Sequence, residues 1–292
     1  MGMNEKFDFA MERRLRDLSP ELHRRFTEAV FGLQNILTKY QKVFPNFTDH
    51  SELHSLSVID FSNHIIGSQI GRLNADEIYT LLMACYFHDS GMGVSERDYE
   101  AFTPRIPFGD YFKTHSAANR PAVIRDFHNE YSGLFIVKYA ELFDIPSEAH
   151  LKAIVQVARG HRKTDLLDEE EYPLSLPVPG GNTICLPYLA ALIRLADEID
   201  VLASRNPILL YDMESLTEEH DIIEFGKHQA IRALDITKDA FILLVDPSDP
   251  VIMEHIRRMV VKMQKTLDDC RRAVLYRTPY LITQKEIRLE TL

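Results

Sequence analysis

The stretch Asn74 to Gly93, NADEIYTLLMACYFHDSGMG, constrains the fold more than any other part of the chain. Asn74 and Glu77 form a capping-box pattern, so a helix starts there. LLMACYF is apolar on every face, which marks a helix buried on most sides, and Gly91 and Gly93 stop it. This helix runs into His88 and Asp89. An ionised carboxylate at the end of a buried helix is costly unless it has a partner. A metal ion is one such partner, since imidazole with carboxylate suits divalent first-row metals.

The remaining helices follow from capping and spacing. SPELHRRFTEAVFGLQNILTKYQKVF opens with a capping serine, Ser19, and a proline at the first helical position. SELHSLSVIDFSNHIIGSQ, PAVIRDFHNEYSGLFIVKYAELF, the segment from Ser147 through EAHLKAIVQVARGH, and LPYLAALIRLADEIDVLAS all read as helices. His54, His128, His161 and Asp197 fall one to each of these four segments, and a helical bundle can bring such residues together in its core. Asp197 interrupts an apolar face. The segment from Glu96 to Arg120 lacks a sustained period and is expected to cover or border a site. The stretch TDLLDEEEYPLSLPVPGGNT reads as a loop. After about residue 212, IIEFG, HQAIRALDI and DAFILLVD have the short runs of strands, and PVIMEHIRRMVVKMQKTLDDCRRAVLY is helical by period. The last residues give no reading. The expected architecture is mainly α: a helical metal-binding domain over 1–212 and a small α+β appendage over 213–292.

Composition excludes several functions. A length of 292 residues with 45% hydrophobic and 26% charged residues is that of an ordinary globular chain. A net charge of -11 argues against bulk nucleic-acid binding or a membrane-surface role, so an anionic substrate needs a local site. No apolar run approaches a membrane span, and the first residues lack the apolar core of a signal peptide, so a cytoplasmic protein is expected. Cys85, Cys185 and Cys270 are far apart and form no CxxC pair, so reduced, buried thiols are expected rather than disulfides or a zinc knuckle. No P-loop, GxSxG elbow or Rossmann fingerprint is present. Arg125 lies three residues before His128; Arg159, Arg162 and Lys163 flank His161; Arg194 lies three before Asp197. Each alone reads as a surface ion pair, but together they could form a positive rim for phosphate oxygens. His50 reads as an exposed helix-start residue, His150, His220 and His255 as solvated, and His228 has no assignment.

The order His54-Ser55, His88-Asp89, His128, His161, Asp197 resembles the HD superfamily of helical metal-dependent phosphohydrolases. The phrases FTDHSELHSLSVID, LLMACYFHDSGMG, IRDFHNEYS, LIRLADEIDV and FGKHQAIRALDI are similar to the HD-CE domains of bacterial conflict systems. The resemblance implies an HD-type helical bundle in which His54, His88, Asp89 and Asp197 hold one divalent ion. Asp89, His128 and His161 would hold a second, drawn from Mn, Fe, Mg, Ni, Co or Zn. It implies hydrolysis of a nucleotide or other small phosphate ester by metal-activated water, with Asp89 the catalytic residue bridging both ions, and it allows a homo-oligomer. One position departs from the pattern. Cyclic-dinucleotide phosphodiesterases with this core carry a lysine three residues after the aspartate, where this chain has Met92. Two other readings stand beside hydrolysis: a non-catalytic sensor or interaction module that keeps the metal, and a di-iron oxygenase of HD-like fold.

Overall fold

The computed structural model describes residues 9–44, 50–202, 219–247 and 249–292, and among these the chain is mainly helical. In order, α1 (Ala10–Leu18), α2 (Pro20–Leu37), α3 (Glu52–Ile66), α4 (Ala75–Phe87), α5 (Glu96–Phe102), α6 (Tyr111–Thr114), α7 (Arg120–Tyr139), α8 (Glu148–Arg159) and α9 (Leu186–Glu198) build the bundle. They are followed by α10 (Glu219–Ala230), strands β3 (Ile231–Ile236) and β4 (Ala240–Val245), α11 (Pro250–Arg277) and β5 (Glu286–Thr291). A two-residue hairpin, β1 (Leu176–Pro177) with β2 (Thr183–Ile184), lies in the loop before α9. Its turn uses Gly180 and Gly181 at φ 96° and 90°, a region that only glycine enters without strain.

The axis of the bundle is α4. Its capping box forms as the sequence predicts, with Asn74 accepting from the Glu77 N–H and the Glu77 carboxylate accepting from the Asn74 N–H. Every side chain from Ile78 to His88 is 0% exposed, because α1, α2, α3, α8 and α9 enclose this helix. Burying one large apolar side chain contributes about 1.5–3 kcal/mol, so this helix has little freedom to shift and delivers His88 and Asp89 to a fixed place. The Ser19 and Ser147 side chains cap α2 and α8, also as expected.

Beyond the bundle, β4 is the middle strand of a three-stranded sheet, antiparallel to β3 and parallel to β5. Phe241, Leu243 and Val245 alternate inward along β4, and α11 packs along α9, the helix that carries Asp197. The expected division at residue 212 falls outside the described residues. One local expectation is corrected here, and the tail left without a reading gains a strand. IIEFG belongs to α10 and is not a strand: Ile222 is exposed and Ile223 and Phe225 are half-buried on a helix whose neighbour is α11. The tail contains β5, whose strand is set by pairing to β4 and not by a strong period of its own.

Histidine burial also differs from expectation. His150 is buried, with its Nε2 2.8 Å from Asp76 Oδ1 at the start of α4. His228 is buried with Nδ1 donating to the Val201 carbonyl at 2.9 Å. His255 is half-buried, while the His220 side chain lies outside the described residues. The three cysteines are free and buried. No helix among the described residues is long and apolar enough to cross a membrane.

Candidate metal centre

Asp89 follows α4 and leads into a short 3-10 turn, Ser90–Gly93, that presses against α7. Gly91 makes this possible. A Cβ there would lie 2.3 Å from the His128 carbonyl oxygen and 2.5 Å from the Ser132 nitrogen. The contact is closed by hydrogen bonds, with Gly91 N–H donating to Ser132 Oγ at 2.8 Å and Ser132 Oγ donating to the His88 carbonyl at 2.5 Å. Glycine is therefore needed here for close approach, beyond ending the helix. On the other side α7 kinks at Phe127 (φ -124°, ψ 18°), one residue before His128. Phe108 and Tyr111, from the irregular segment 96–120, pack on the Phe127 ring with centroids 4.9 Å away, so that segment borders the site through α7.

The structure brings together all six residues expected to hold metal. The ligand atoms of His54, His88 and Asp197 lie within 4.8 Å of one another, as do those of Asp89, His128 and His161. Asp89 faces both groups with different oxygens. Its Oδ2 lies 3.4 Å from His54 Nε2 and 3.2 Å from His88 Nε2, while its Oδ1 lies 3.4 Å from His128 Nε2 and 4.0 Å from His161 Nε2. Asp197 Oδ1 is 3.2 Å from His54 Nε2 and 3.8 Å from His88 Nε2. All except Asp197 are buried; the Asp197 side chain keeps 23% exposure and gives the centre an outward face.

Hydrogen bonds assign the imidazole tautomers. Nδ1 of His54 donates to Asp200 Oδ2 at 2.6 Å, that of His88 to the Cys85 carbonyl at 2.9 Å, that of His128 to the Arg125 carbonyl at 2.8 Å, and that of His161 to the Ala158 carbonyl at 2.6 Å. In its neutral form each ring then offers a lone pair at Nε2. These lone pairs point at one another: His54 and His88 Nε2 are 3.0 Å apart, and His128 and His161 Nε2 are 2.8 Å apart. Two lone pairs at that distance repel unless a cation lies between them. Two imidazole nitrogens bound at about 2.1 Å to one ion, near right angles, lie about 3.0 Å apart. The donor set therefore fits divalent metal ions in both groups, and it contains nitrogen and oxygen but no thiolate.

Two of the rings and both carboxyls are shifted toward their ligating forms. Burial pulls His161 down to about 4, with the His88 ring adding to the effect. Burial and the Arg162 guanidinium hold His128 well below its ordinary value. Burial would raise the two carboxyls, yet the His88 and His50 rings keep Asp89 well below the usual carboxylate range, and His54 does the same for Asp197.

Two members of the cluster escaped the sequence reading. His50, expected to be exposed, is mostly buried with Nδ1 2.6 Å from Asp89 Oδ2; His50, His54 and Asp89 form a third group able to hold an ion. Asp200 is buried against His54. Its position three residues after Asp197, in the same run LADEIDV, is the signal that could have found it.

The candidate rim cations have varied surroundings. Arg162 Nη1 lies 3.1 Å from His128 Nδ1 and donates to the Arg125 carbonyl at 3.1 Å, beside the centre. Arg125 contributes that carbonyl, which both Arg162 and His128 use. Arg159 is bidentate on Glu130 at 2.9 and 3.0 Å and also bonds Glu171 at 2.8 Å. Arg194 donates to the Gly160 carbonyl at 2.7 Å and to Thr164, fixing the turn that carries His161. Lys163 donates to the Asp126 carbonyl at 3.0 Å and is half exposed. Met92, where a lysine would mark cyclic-dinucleotide phosphodiesterases, is fully buried.

No curated protein and no solved structure matches the chain. The HD-CE family model matches residues 44–277, a span that includes every residue of this cluster and continues through α10, the sheet strands β3 and β4, and α11. With well over half its length matched and the buried His/Asp groups in place, the chain belongs to the HD-CE family.

Proposed function

We infer that the chain is a metal-dependent phosphohydrolase acting on a nucleotide or another small phosphate ester, with His54, His88, Asp89 and Asp197 at one ion and Asp89, His128 and His161 at a second. The observation that carries this reading is the convergence of four Nε2 lone pairs on the two oxygens of Asp89, in two groups 2.8–3.0 Å wide. A divalent ion bound in such a site supplies Lewis acidity toward water and toward a phosphoryl oxygen. The protein does the rest. Asp89 orients both halves of the centre, with His50 fixing its Oδ2 at 2.6 Å. Asp200 holds the His54 ring, as a carboxylate behind a ligating imidazole does. Asp197 opens the centre to solvent, and Arg162 is a cation beside it for holding phosphate oxygens.

Asp89→Asn removes the shared negative charge at constant size. It is expected to lose metal, measured by elemental analysis, together with phosphate release from a panel of nucleotides and phosphodiesters supplied with manganese, magnesium or nickel. The fold, followed by circular dichroism, should persist because the apolar helices carry most of the stability. Full hydrolysis by Asp89→Asn at unchanged metal content would sink this reading. A second reading, a metal-holding sensor without turnover, draws support from the internal hydrogen bonds of Arg159, Arg194 and Lys163, which thin the cationic rim. Metal retention by the wild type with no release from any substrate in the panel favours it.

A further inference from the structure

A cavity of about 670 Å3 lies apart from the His/Asp centre, between the end of α2 with the 3-10 turn Thr38–Lys42, the segment around Gly93–Asp98, and the second half of α7 with the turn after it. No residue of the centre lines it. Its size is within the range of pockets that take small organic ligands. Val94, Phe135 and Phe143, all buried, give it an apolar floor.

Charge at its walls is unevenly balanced. Asp98 accepts from Ser95 Oγ and Tyr139 and pairs with Lys138, so its charge is neutralised locally. Arg120 donates to the Val94 carbonyl at 3.1 Å, lies over the Tyr99 ring, and has the mostly exposed Glu96 3.9 Å away. Lys39 and Lys42 have no such partner: neither makes a hydrogen bond or ion pair with any described residue. They are three residues apart in a 3-10 turn, where side chains at i and i+3 eclipse, so both ammonium groups stand over the same side of the cavity. Two cations without a partner among the described residues, beside an apolar floor and on a chain of net charge -11, select an anionic group attached to an apolar body.

We propose that this cavity is a second ligand site, distinct from the metal centre, for a small organic anion whose charged group meets Lys39 and Lys42 and whose apolar body rests on Val94, Phe135 and Phe143. The chemistry is that of an amphiphilic carboxylate or phosphate ester.

The probe is 8-anilinonaphthalene-1-sulfonate, an anion on an apolar body, titrated by fluorescence into the 292-residue chain. N-phenyl-1-naphthylamine serves as its uncharged counterpart. The dye should bind saturably at one site. The double variant Lys39→Glu/Lys42→Glu alters only exposed side chains and should weaken the anionic dye at least tenfold, while binding of the uncharged dye changes less than twofold. Leu142→Asp, at the exposed rim on the opposite wall, should weaken the anionic dye as well. Binding to Asp89→Asn should equal that to the wild type, which separates this cavity from the metal centre. Displacement by octanoate but not by adenosine monophosphate, or the reverse, tells a carboxylate source from a phosphate one. Absence of saturable binding, unchanged affinity in both cavity variants, or loss confined to Asp89→Asn would overturn the proposal.

Discussion

Replacing Gly91 with alanine tests whether the close approach of the 3-10 turn to α7 is what assembles the metal centre. The new Cβ would begin 2.3 Å from the His128 carbonyl oxygen and 2.5 Å from the Ser132 nitrogen, both backbone atoms that cannot rotate away. Carbon and carbonyl oxygen rarely approach below about 3.3 Å, so the two segments must separate by about 1 Å. Overpacking of this kind costs about 1–3 kcal/mol, and weakening the Gly91 to Ser132 hydrogen bond adds about 1 kcal/mol. The expected loss is about 2–4 kcal/mol, a large part of the stability of an ordinary domain. The effect on metal is sharper, because ligand positions tolerate shifts of only about 0.2 Å and Asp89 would move away from His128. Affinity in the Asp89, His128 and His161 group should fall on the order of 10–100-fold. Urea unfolding of the chelated protein reads the first effect, and titration of manganese into the same protein reads the second. Gly32→Ala is the control: its Cβ meets only the Phe143 ring at 3.6 Å, inside α2, and should raise stability by about 0.5–1 kcal/mol. Wild-type stability and metal affinity in Gly91→Ala would refute the reasoning.

Two further substitutions separate structural from functional charge. Arg159→Ala leaves the partly buried Glu130 and Glu171 without their shared cation and should lower stability by about 2–3 kcal/mol at unchanged metal content. A wild-type unfolding midpoint combined with lost turnover would instead return Arg159 to the substrate rim. For Asp98, burial works against ionisation, but Lys138 and Ser95 hold its carboxyl below the ordinary value. Its contribution is therefore present above about pH 4, the unfolded value, and is lost as pH falls through the folded one. Asp98→Asn should cost about 1 kcal/mol at neutral pH, and the gap to wild type in urea unfolding should narrow as the pH falls below about 4. A gap that widens there would contradict this assignment.

What the sequence revealed and what it hid have physical explanations. His88, Asp89 and Asp197 were legible because they end or interrupt an apolar helix, where burial makes an ionisable group conspicuous, whereas His54, His128 and His161 were legible through their places on separate helices and the ordered set that resembles the HD superfamily. His50 was not, since it precedes its helix in a polar stretch, TDHSELH, and only its contact with Asp89 reveals its burial. His150 misled for a similar reason: near a helix start it reads as solvated, but Asp76 of α4 lies within hydrogen-bond reach. IIEFG was too short a run to separate helix from strand, and β5 depends on a partner strand more than forty residues away in the chain. The rim cations show the limit of local spacing. Proximity to His161 in sequence does not tell whether an arginine faces a ligand or, like Arg159 and Arg194, a neighbouring carboxylate or carbonyl.

The hydrogen bond from His54 to Asp200 joins residues 146 positions apart, and with His50 and Asp197 it spreads the centre over half the chain. No fragment shorter than the stretch from His50 to Asp200 contains the whole cluster. Local helix formation can precede its assembly, but the cluster itself is a long-range contact, closed against the chain entropy of the intervening loops. Any ion shared between α3, α4, α7, α8 and α9 is thus a cross-link between segments that local structure alone leaves independent.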